Sequence, residues 1–570
     1  MRETDPDTAP RIAPRPPEVV MRLARMGSFH QCRLSFMRVL LRRMAAEGWR
    51  VERPVFDIDA KGVGTAVYTA RGPERTYSLV AFGHDLPDEM RTDRVIATAW
   101  DATFALVDGV PGTDDIARLR DNVPRQEAGR VSARELTLSR ANRSVRLFDH
   151  VVDSLAAGRQ PDAARVDEVG YVMRTTAVYG SGKFGAADRE RIADRPECAP
   201  PFQVEMLSVY LIRTFVMDLV ERMAEARAPG RAARLDPALR RRFGIGNSTG
   251  LGMAPFLLTH PRLLNNWIAA REWALARIRS LPDATASEVA KVRDTVARGR
   301  AAVAGWRTDH PGQRERLVGL SADLERLERH LADAELSRDM PWDRLWRWAE
   351  GALTLEGQEM LVSVLMEPYP DIVDGLAHCM SADESALPPI DGAMTAGALR
   401  ALIARDYGWA LAIDWESRPA QARVWYVSEE KLEPRLGERF EEQLEPWEQP
   451  LGPGRDVARL HAALADVADD TPVAELLLAR PEHRHAVRRA QLVARHPYAE
   501  IRDNTIDAEM LPIDLLRAKL AFFGAGQFDP RSDRWVRINM FRGAPFPDEL
   551  AELAQDDWSW PAPAPAPQPA

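Results

Sequence analysis

Three arginines lead into a glycine-rich segment at Arg240-Arg-Arg-Phe-Gly-Ile-Gly-Asn-Ser-Thr-Gly-Leu-Gly-Met-Ala-Pro255, and a long apolar stretch with helical spacing follows it. Because an ordered glycine costs conformational entropy, the four glycines predict positive φ angles or a close approach to the backbone. Free backbone amides at a helix start attract anions, and neighbouring arginines do the same. The segment therefore predicts either a pocket for a carboxylate or phosphate, or a tight connection between two packed helices with solvated arginines.

The segment Tyr179-Gly-Ser-Gly-Lys-Phe-Gly185 offers a second place for an anion. It is similar to a phosphate-binding loop, but Ala177 and Phe184 stand where that pattern requires a glycine and a magnesium-binding hydroxyl. A phosphate-binding loop is therefore not predicted. Lys183, held between glycines and preceded by Arg174, could still bind an anion, and the alternative is a helix C-cap with a solvated lysine.

Together the two segments supply the candidate site residues. General acid–base and proton-transfer chemistry would fall to Tyr179, Lys183 and His260, each of which can gain or lose a proton. No metal site is predicted, because His483 and His485 are two residues apart and point to different sides of a helix. The residues leave any cofactor undetermined. The anion would be bound by Arg174, Arg242, Gly246, Asn247, Ser248, Thr249, Gly250 and Gly252.

Composition and charge exclude several classes of protein. The chain has 570 residues and a formal net charge of −9, which argues against nucleic acid or an anionic membrane as a partner. Its cysteines are few and far apart, at Cys32, Cys198 and Cys379, which indicates a reducing compartment without disulfides. The proline-rich start lacks the apolar stretch of a secretory signal, and the other apolar stretches carry too many charges for a membrane span. The sequence therefore predicts a soluble, cytoplasmic protein.

Hydrophobic periodicity predicts a mainly α protein with small β sections (α+β). The clearest β region is a hairpin formed by residues 65–70 and 76–82. Most of 113–365 has helical spacing, including a helix at 202–223 that is apolar nearly all round, so its charges must be paired or reach a wet cavity. Strand composition returns at 410–415 and 422–427. The expected architecture is a large helical body with an N-terminal hairpin-containing section and a second mixed section near 370–430.

Composition also divides the chain along its length. Both ends are rich in proline and lack an apolar period, so they are predicted to be disordered. The predicted divisions are a disordered tail at 1–18, a small α+β section at 19–110, a helical core domain with the glycine-rich loop at 111–368, a mixed α/β section at 369–557 and a disordered Pro/Ala tail at 558–570.

Three further groups have both a functional and a structural interpretation. The tryptophans and arginines of 342–348 could stack an aromatic ligand or pack one helix onto the core. The stretch His496–Asn504, with Arg517 and Lys519 on the following helix, could be an acid–base site or a set of surface ion pairs. Leucines spaced along 313–337 favour an exposed antiparallel arm or an oligomer contact, such as that of a homodimer.

These observations lead to two hypotheses of different classes. The first is a cytoplasmic metabolic enzyme that acts on a small anionic molecule, with the reaction type open. The second is a non-catalytic scaffold or regulatory protein that binds partners through the charged arm at 313–337 and its proline-rich tails. An enzyme requires the glycine-rich segment, Lys183 and the charges of the 202–223 helix to converge on one pocket, whereas a scaffold does not.

Overall fold

A nine-stranded mixed sheet draws its strands from both halves of the chain. The structure is a computed structural model, and it describes residues 11–90, 99–125, 129–176, 187–248, 256–258, 260–306, 311–333, 339–382, 387–417, 426–428, 431–435, 452–502, 517–530 and 536–555. The strands are β1 (Arg50–Ile58), β2 (Gly64–Arg71), β3 (Thr76–Gly83), β4 (Ala102–Asp108), β5 (Glu135–Arg143), β6 (Tyr171–Thr176), β7 (Gly244–Ser248), β8 (Tyr426–Ser428), β9 (Lys431–Arg435), β10 (Ala525–Pro530) and β11 (Val536–Met540). The large sheet has the order β1-β2-β3-β4-β5-β6-β7-β11-β10, while β8 and β9 form a separate pair.

One pair of neighbours in the large sheet, β6 and β7, is parallel, and the other pairs of this sheet are antiparallel. The predicted hairpin is present as β2 and β3. Because parallel neighbours need a long crossover, β6 and β7 are joined through a core helix and not by a turn. The predicted division at residue 110 falls between β4 and β5, which pair with each other.

Helices make up much of the remaining described chain. They are α1 (Pro17–Val20), α2 (Phe36–Ala46), α3 (Thr113–Asn122), α4 (Phe148–Ala156), α5 (Ala163–Val169), α6 (Arg189–Ile192), α7 (Gln203–Arg227), α8 (Pro237–Arg241), α9 (Pro261–Arg279), α10 (Ala286–Gly305), α11 (Pro311–Asp333), α12 (Pro341–Ala352), α13 (Leu355–Met366), α14 (Pro370–Val373), α15 (Ala396–Asp406), α16 (Gly408–Leu411), α17 (Pro453–Leu464), α18 (Val473–Ala479) and α19 (Arg484–Arg495). A π-helix spans Lys519–Phe523. The chain is therefore a mixed α+β protein with a largely helical composition. Within the described ranges, none of the helices combines the length and the apolar character that a membrane span requires.

Helix α7 packs against β2, β3, β5 and β7 and is buried along most of its length. The ring of Phe215 contacts the ring of Tyr68 on β2 edge to face. Its charged side chains are expected to be paired or to reach a wet cavity, and two of them have hydrogen-bond partners within the protein. Arg213 donates to the carbonyl of Phe243 at 2.7 Å, and Asp218 accepts from the hydroxyl of Tyr68 at 2.6 Å.

Two local predictions differ from the structure in the helical regions. Residues 410–415 were expected as a strand, but Ala410 belongs to α16, which packs against α17 in a second hydrophobic cluster. A short apolar run does not distinguish a strand from a buried helical turn. Helix α11 forms the expected arm, but Leu320, Leu324 and Leu327 are buried and the helix packs against α10 and α13. The leucine face of the arm is therefore part of the core and is not exposed.

The N-terminal segment is fixed in the core by Arg15. Its guanidinium donates to Glu272 at 2.7 and 2.8 Å and to Glu359 at 2.8 and 3.2 Å, and both carboxylates are fully buried. Arg271 also pairs with Glu359. The expected disorder of 1–18 therefore differs from the structure over residues 11–18, because two buried carboxylates need this positive charge. Residues 1–10 and the predicted tail at 558–570 lie outside the described residues.

Candidate functional site

The carboxyl ends of β6 and β7 bring several predicted site residues together. The register places Arg174 beside Gly246 and Thr175 beside Asn247. Successive side chains of a strand point to opposite faces, so Arg174 lies on one face of the sheet and Asn247 on the other. Arg174 and Asn247 are therefore close along the sheet without facing the same space.

Close packing explains the first two glycines of β7. A Cβ atom on Gly246 would lie 2.7 Å from the ring of Tyr171, and one on Gly244 would lie 2.5 Å from the carbonyl oxygen of Met540. Neither glycine is among the described residues with a positive φ angle. The sequence predicted either positive φ angles or a close approach to the backbone at these glycines. The close approach applies to Gly244 and Gly246, and the approaching groups belong to the protein itself.

Arg242 directly precedes Phe243 and β7, and it forms an ion pair within the protein. Its guanidinium pairs with Asp167 at 2.6 Å, and Arg542 pairs with the other oxygen of the same carboxylate at 2.7 Å. From residue 242 to Gly246 an extended chain covers about 13 Å. The structure therefore places Arg242 in an ion pair at the opposite end of the strand from Asn247.

Of the residues predicted to transfer protons, the structure describes His260. Its Nδ1 lies 2.8 Å from the carbonyl oxygen of Phe256, and its ring stacks on that of Phe256 at 4.4 Å. His260 directly precedes α9 and is half-buried. The backbone of Ser248 belongs to β7. The remaining predicted positions lie outside the described residues, namely the side chain of Ser248 and the whole of Tyr179, Lys183, Thr249, Gly250 and Gly252.

The side chain that meets Asn247 belongs to Lys519, in the π-helix. Its Nζ donates a hydrogen bond to Oδ1 of Asn247 at 3.1 Å, and the lysine is only 2% exposed. Nδ2 of Asn247 donates to the carbonyl of Thr175 at 3.2 Å, which fixes the orientation of the amide. Short π-helical turns are rare and occur frequently at functional sites. The strand ends and the π-helix therefore hold an amine in a defined place.

Burial makes this amine easy to deprotonate. It lowers the pKa of Lys519 from 10.5 to about 7, because the ammonium form loses its hydration. Nζ lies 5.7 Å from the ring centre of Phe523, whose ring contacts those of Phe202 and Phe256. A neutral amine in apolar surroundings can act as a general base or as a nucleophile.

A second buried charge, Glu205, lies one helical turn beyond Phe202. Its Oε1 accepts the backbone N–H of Ala187 at 2.8 Å and lies 3.8 Å from Arg189. The guanidinium of Arg189 also lies over the ring of Phe202, at 5.3 Å. Within the described part of the chain, Oε2 of Glu205 is buried and has no hydrogen-bond partner. A carboxylate oxygen in this state can accept a hydrogen bond from a ligand.

Sequence reasoning counted Lys519 among the charges that could form an acid–base site or surface ion pairs with the stretch His496–Asn504, and it did not connect Lys519 with β7. One signal was present, because Lys519 is the charged residue within Ala518-Lys-Leu-Ala-Phe-Phe523. A second signal is composition: the chain has 76 lysines and arginines, of which five are lysine. Arginine stays charged when buried, whereas lysine can lose its proton. Asn247 is among the residues predicted to bind the anion, but its contact with Lys519 could not be found in this way, because the two residues are 272 positions apart along the chain.

Members of the other predicted groups are buried or paired within the protein. Trp342 is fully buried in the core. Glu500 pairs with Arg489 at 2.6 Å, and both are buried. The described residues contain no cluster of three or more His, Cys, Asp or Glu placed to hold a metal ion. A surface depression of about 560 Å³, lined in part by Arg400 and His461, contains none of the predicted site residues.

The candidate site is thus defined by Lys519, Asn247 and the aromatic rings beside them. No protein-family model, curated protein sequence or solved structure matches the chain.

Proposed function

We propose that this protein is a metabolic enzyme that acts on a small anionic molecule, a carboxylate or a phosphate, at the carboxyl ends of β6 and β7. One observation carries the proposal: the buried amine of Lys519 is held there by Asn247. The proposal keeps the expected cytoplasmic location and gives no role to nucleic acid or a membrane. A homodimer remains an expectation.

A buried amine that is half protonated at pH 7 responds strongly to a bound anion. Two opposite unit charges 4 Å apart attract each other by about 4 kcal/mol at an effective dielectric constant of ~20. An anion beside Lys519 therefore raises the pKa of the amine, which takes up a proton as the anion binds. Asn247 can accept a hydrogen bond from either form of the amine, so the position of Nζ is maintained.

The aromatic rings around the amine strengthen this effect. Phe202, Phe256 and Phe523 contact one another, the ring centre of Phe523 lies 5.7 Å from Nζ, and Lys519 is 2% exposed, so the amine is removed from bulk water. Charges attract more strongly where water is excluded. The site therefore suits a small molecule with one anionic group and a short carbon skeleton.

Isothermal titration calorimetry tests the proposal. The full chain is titrated with acetate, succinate and inorganic phosphate between pH 6 and pH 9, in two buffers with different enthalpies of ionisation, and acetamide serves as the neutral control. Binding at pH 7 should take up about half a proton, because about half of the amines are neutral beforehand. Affinity should fall as the pH rises above 7, since the neutral amine attracts anions weakly.

Two variants provide the matched comparison. Lys519→Met should remove the proton uptake and weaken binding at least about tenfold, or ~1.4 kcal/mol. Lys61→Met removes an amine whose side chain is 71% exposed, so it should leave both quantities unchanged. Binding without proton uptake would place the anion away from Lys519. Failure of all three anions to bind would contradict the proposal.

The alternative is a non-catalytic scaffold or regulatory protein that binds partners through the arm at 313–337 and the proline-rich tails. Burial of the leucines of α11 removes the apolar face that such an arm would offer. Its charged face is left, and exposed charge pairs contribute little to binding on their own. The enzyme proposal is therefore preferred.

A further inference from the structure

We infer that Arg517 is a positioning residue for Lys519: it fixes the start of the helical turn from which the amine reaches Asn247. The inference rests on the proposed function, because it explains how the amine of that site is kept in place. Arg517 stands two residues before Lys519 in the same helical run, and it is only 2% exposed. A buried arginine needs partners for its charge and its N–H groups, and these partners determine which segments it holds together.

The guanidinium of Arg517 joins three segments of the chain. Its Nε donates to Oε2 of Glu356 at 2.5 Å, in the first turn of α13. Its other nitrogens donate to the carbonyl oxygens of Leu23, at 3.1 Å, and Gly27, at 2.8 Å. The second oxygen of Glu356 accepts the backbone N–H of Phe29 at 3.1 Å. Arg517 and Glu356 thus fasten the N-terminal segment to the residues that lead into the π-helix.

The fit between these segments is close. A planar guanidinium offers five N–H donors in fixed directions, so one side chain can bind a carboxylate and two carbonyl oxygens together. Gly27 adds a second constraint, because a Cβ atom there would lie 2.3 Å from the carbonyl oxygen of Arg517. The two backbones are therefore in direct contact, and they cannot separate without breaking the hydrogen bonds of Arg517.

The N-terminal segment continues along the π-helix beyond Arg517. The backbone N–H of Cys32 donates to the carbonyl oxygen of Ala521 at 2.9 Å. The ring of Phe36 contacts that of Phe523 edge to face, and their centres are 5.0 Å apart. The segment therefore contacts the π-helix in its middle and at its last residue, and Arg517 supplies the contact just before its first residue.

The other end of the π-helix is fixed by the large sheet. β10 begins directly after Gly524, and it pairs with β11, which pairs with β7. Because Asn247 lies on β7, the sheet determines where the end of the π-helix stands relative to Asn247. Lys519 is the first residue of the π-helix and is the farthest of its residues from that anchor along the chain. Its hydrogen bond of 3.1 Å to Asn247 therefore depends on the second anchor, Arg517.

Release of Arg517 should let water reach the amine. Burial lowers the pKa of Lys519 from 10.5 to about 7, because the ammonium form loses its hydration. If the start of the π-helix moves away from the N-terminal segment, this hydration is regained and the pKa rises. The protonation of Lys519 therefore reports its position, whereas a loss of stability alone would fit any buried ion pair.

An NMR titration of the full chain tests the inference. The protein is labelled with lysine that carries ¹³C at Cε, and its five lysines give at most five signals. Lys519→Met identifies the signal of Lys519 by its disappearance. In the natural chain this signal should titrate with a midpoint of about 7. In Arg517→Met the midpoint should rise by at least about one pH unit, and proton uptake on anion binding at pH 7 should fall from about half a proton to about a tenth.

Arg517→Lys is the conservative variant. It keeps a positive charge beside Glu356, but an ammonium group lacks the planar fork that binds both carbonyl oxygens at once. The midpoint of Lys519 should therefore rise by less than in Arg517→Met. The signal of the added lysine is identified in the double variant with Lys519→Met. If Arg517→Met does not fold, Arg517→Lys still provides the test, and an unchanged midpoint in it would overturn the inference.

Arg279→Met is the matched control for a buried ion pair. The guanidinium of Arg279 pairs with Asp343 at 2.7 Å and is 12% exposed. Arg279 lies at the end of α9, about 18 Å along the helix from Trp267, whose ring contacts Phe523. This variant should lower the stability of the protein and leave the midpoint of Lys519 unchanged.

The outcomes separate this inference from the proposed function. An unchanged midpoint in a folded Arg517→Met, or an equal rise in Arg279→Met, would overturn the positioning role; if anions still bind the natural chain with proton uptake, the proposed function stands. If the midpoint rises in Arg517→Met alone but no anion binds, Arg517 positions the amine and the proposed function is wrong. A midpoint near 10.5 in the natural chain would contradict both.

Discussion

Replacement of Lys519 by methionine should make the protein more stable at pH 6 than the natural chain. The change removes the ammonium group and keeps a side chain of similar length. Because Lys519 is only 2% exposed, methionine can occupy the same space without adding polar atoms. This prediction tests whether folding forces the amine toward its neutral form.

The magnitude follows from the pKa of Lys519 in the folded and unfolded chain. Burial lowers this pKa from 10.5 to about 7. Each pH unit corresponds to ~1.4 kcal/mol, so the folded state bears a cost of about 5 kcal/mol below pH 7, where both states are protonated. Between pH 7 and 10.5 the unfolded state holds more protons, so this cost decreases as the pH rises. Methionine leaves Oδ1 of Asn247 unpaired, which costs about 1–3 kcal/mol at every pH.

The expected difference is therefore about 2–4 kcal/mol in favour of Lys519→Met at pH 6, and it should shrink by ~3 kcal/mol by pH 9. Urea unfolding followed by tryptophan fluorescence at pH 6, 7, 8 and 9 measures it. The ring of Trp267 contacts that of Phe523, so the signal includes the site itself. Lys61→Met provides the control. Because Lys61 is exposed, the difference in unfolding free energy between this variant and the natural chain should not show a comparable decrease from pH 6 to pH 9.

The pH dependence of the difference in unfolding free energy is a stricter test of a neutral Lys519 than the size of the difference at one pH. The unpaired amide and the packing of methionine do not titrate between pH 6 and 9, so they shift the whole curve without changing its slope. A difference between Lys519→Met and the natural chain that is constant over this range would refute the reasoning, because it would mean that the amine keeps its proton in the folded state.

Three other changes test the remaining structure. Arg15→Ala should lower the free energy of unfolding, measured in urea, by about 3–5 kcal/mol, because it leaves Glu272 and Glu359 undercompensated; an unchanged midpoint would mean that the segment is not docked. Gly246→Ala should cost ~1–3 kcal/mol with or without ligand, since the new Cβ meets Tyr171; a loss of binding without loss of stability would contradict this. Burial alone would raise the pKa of Glu359, but nearby arginines lower it to about 2, so its stabilisation should be present above pH 4.5 and be lost toward pH 2. The free energies of unfolding of Glu359→Gln and of the natural chain, measured at pH 5, 4 and 3, should therefore converge as the pH falls.

Secondary-structure elements that are determined by their own residues were predictable from the sequence. The hairpin of β2 and β3 follows from alternating side chains around a turn, and both strands lie within twenty residues of each other. Helix α7 follows from an apolar run too long for a strand. The strand expected at 410–415 was wrong because its run of apolar residues is short, and packing against α17 decides its conformation.

Contacts between residues that are far apart in the sequence could not be predicted. Arg15 stands in a proline-rich segment that looks disordered, yet it binds Glu359, which is 344 residues away. The amine of Lys519 meets Asn247 only because β7 and the π-helix come together in the fold. The sequence marked the neighbourhood of Asn247 through its glycines, but these glycines make room for Tyr171 and Met540 and do not reveal the lysine.

The π-helix makes the site sensitive to chain length as well as to residue type. A π-turn contains one residue more than the corresponding α-helical turn, and Gly524, with φ of 91°, ends it. Deletion of Ala521 would let the segment return to α-helical winding. Lys519 and Phe523 would then stand three residues apart, a spacing at which α-helical side chains still share one face. The narrower turn would displace Nζ of Lys519 from Oδ1 of Asn247, so deletion of a single residue would disturb this site while every named side chain is retained.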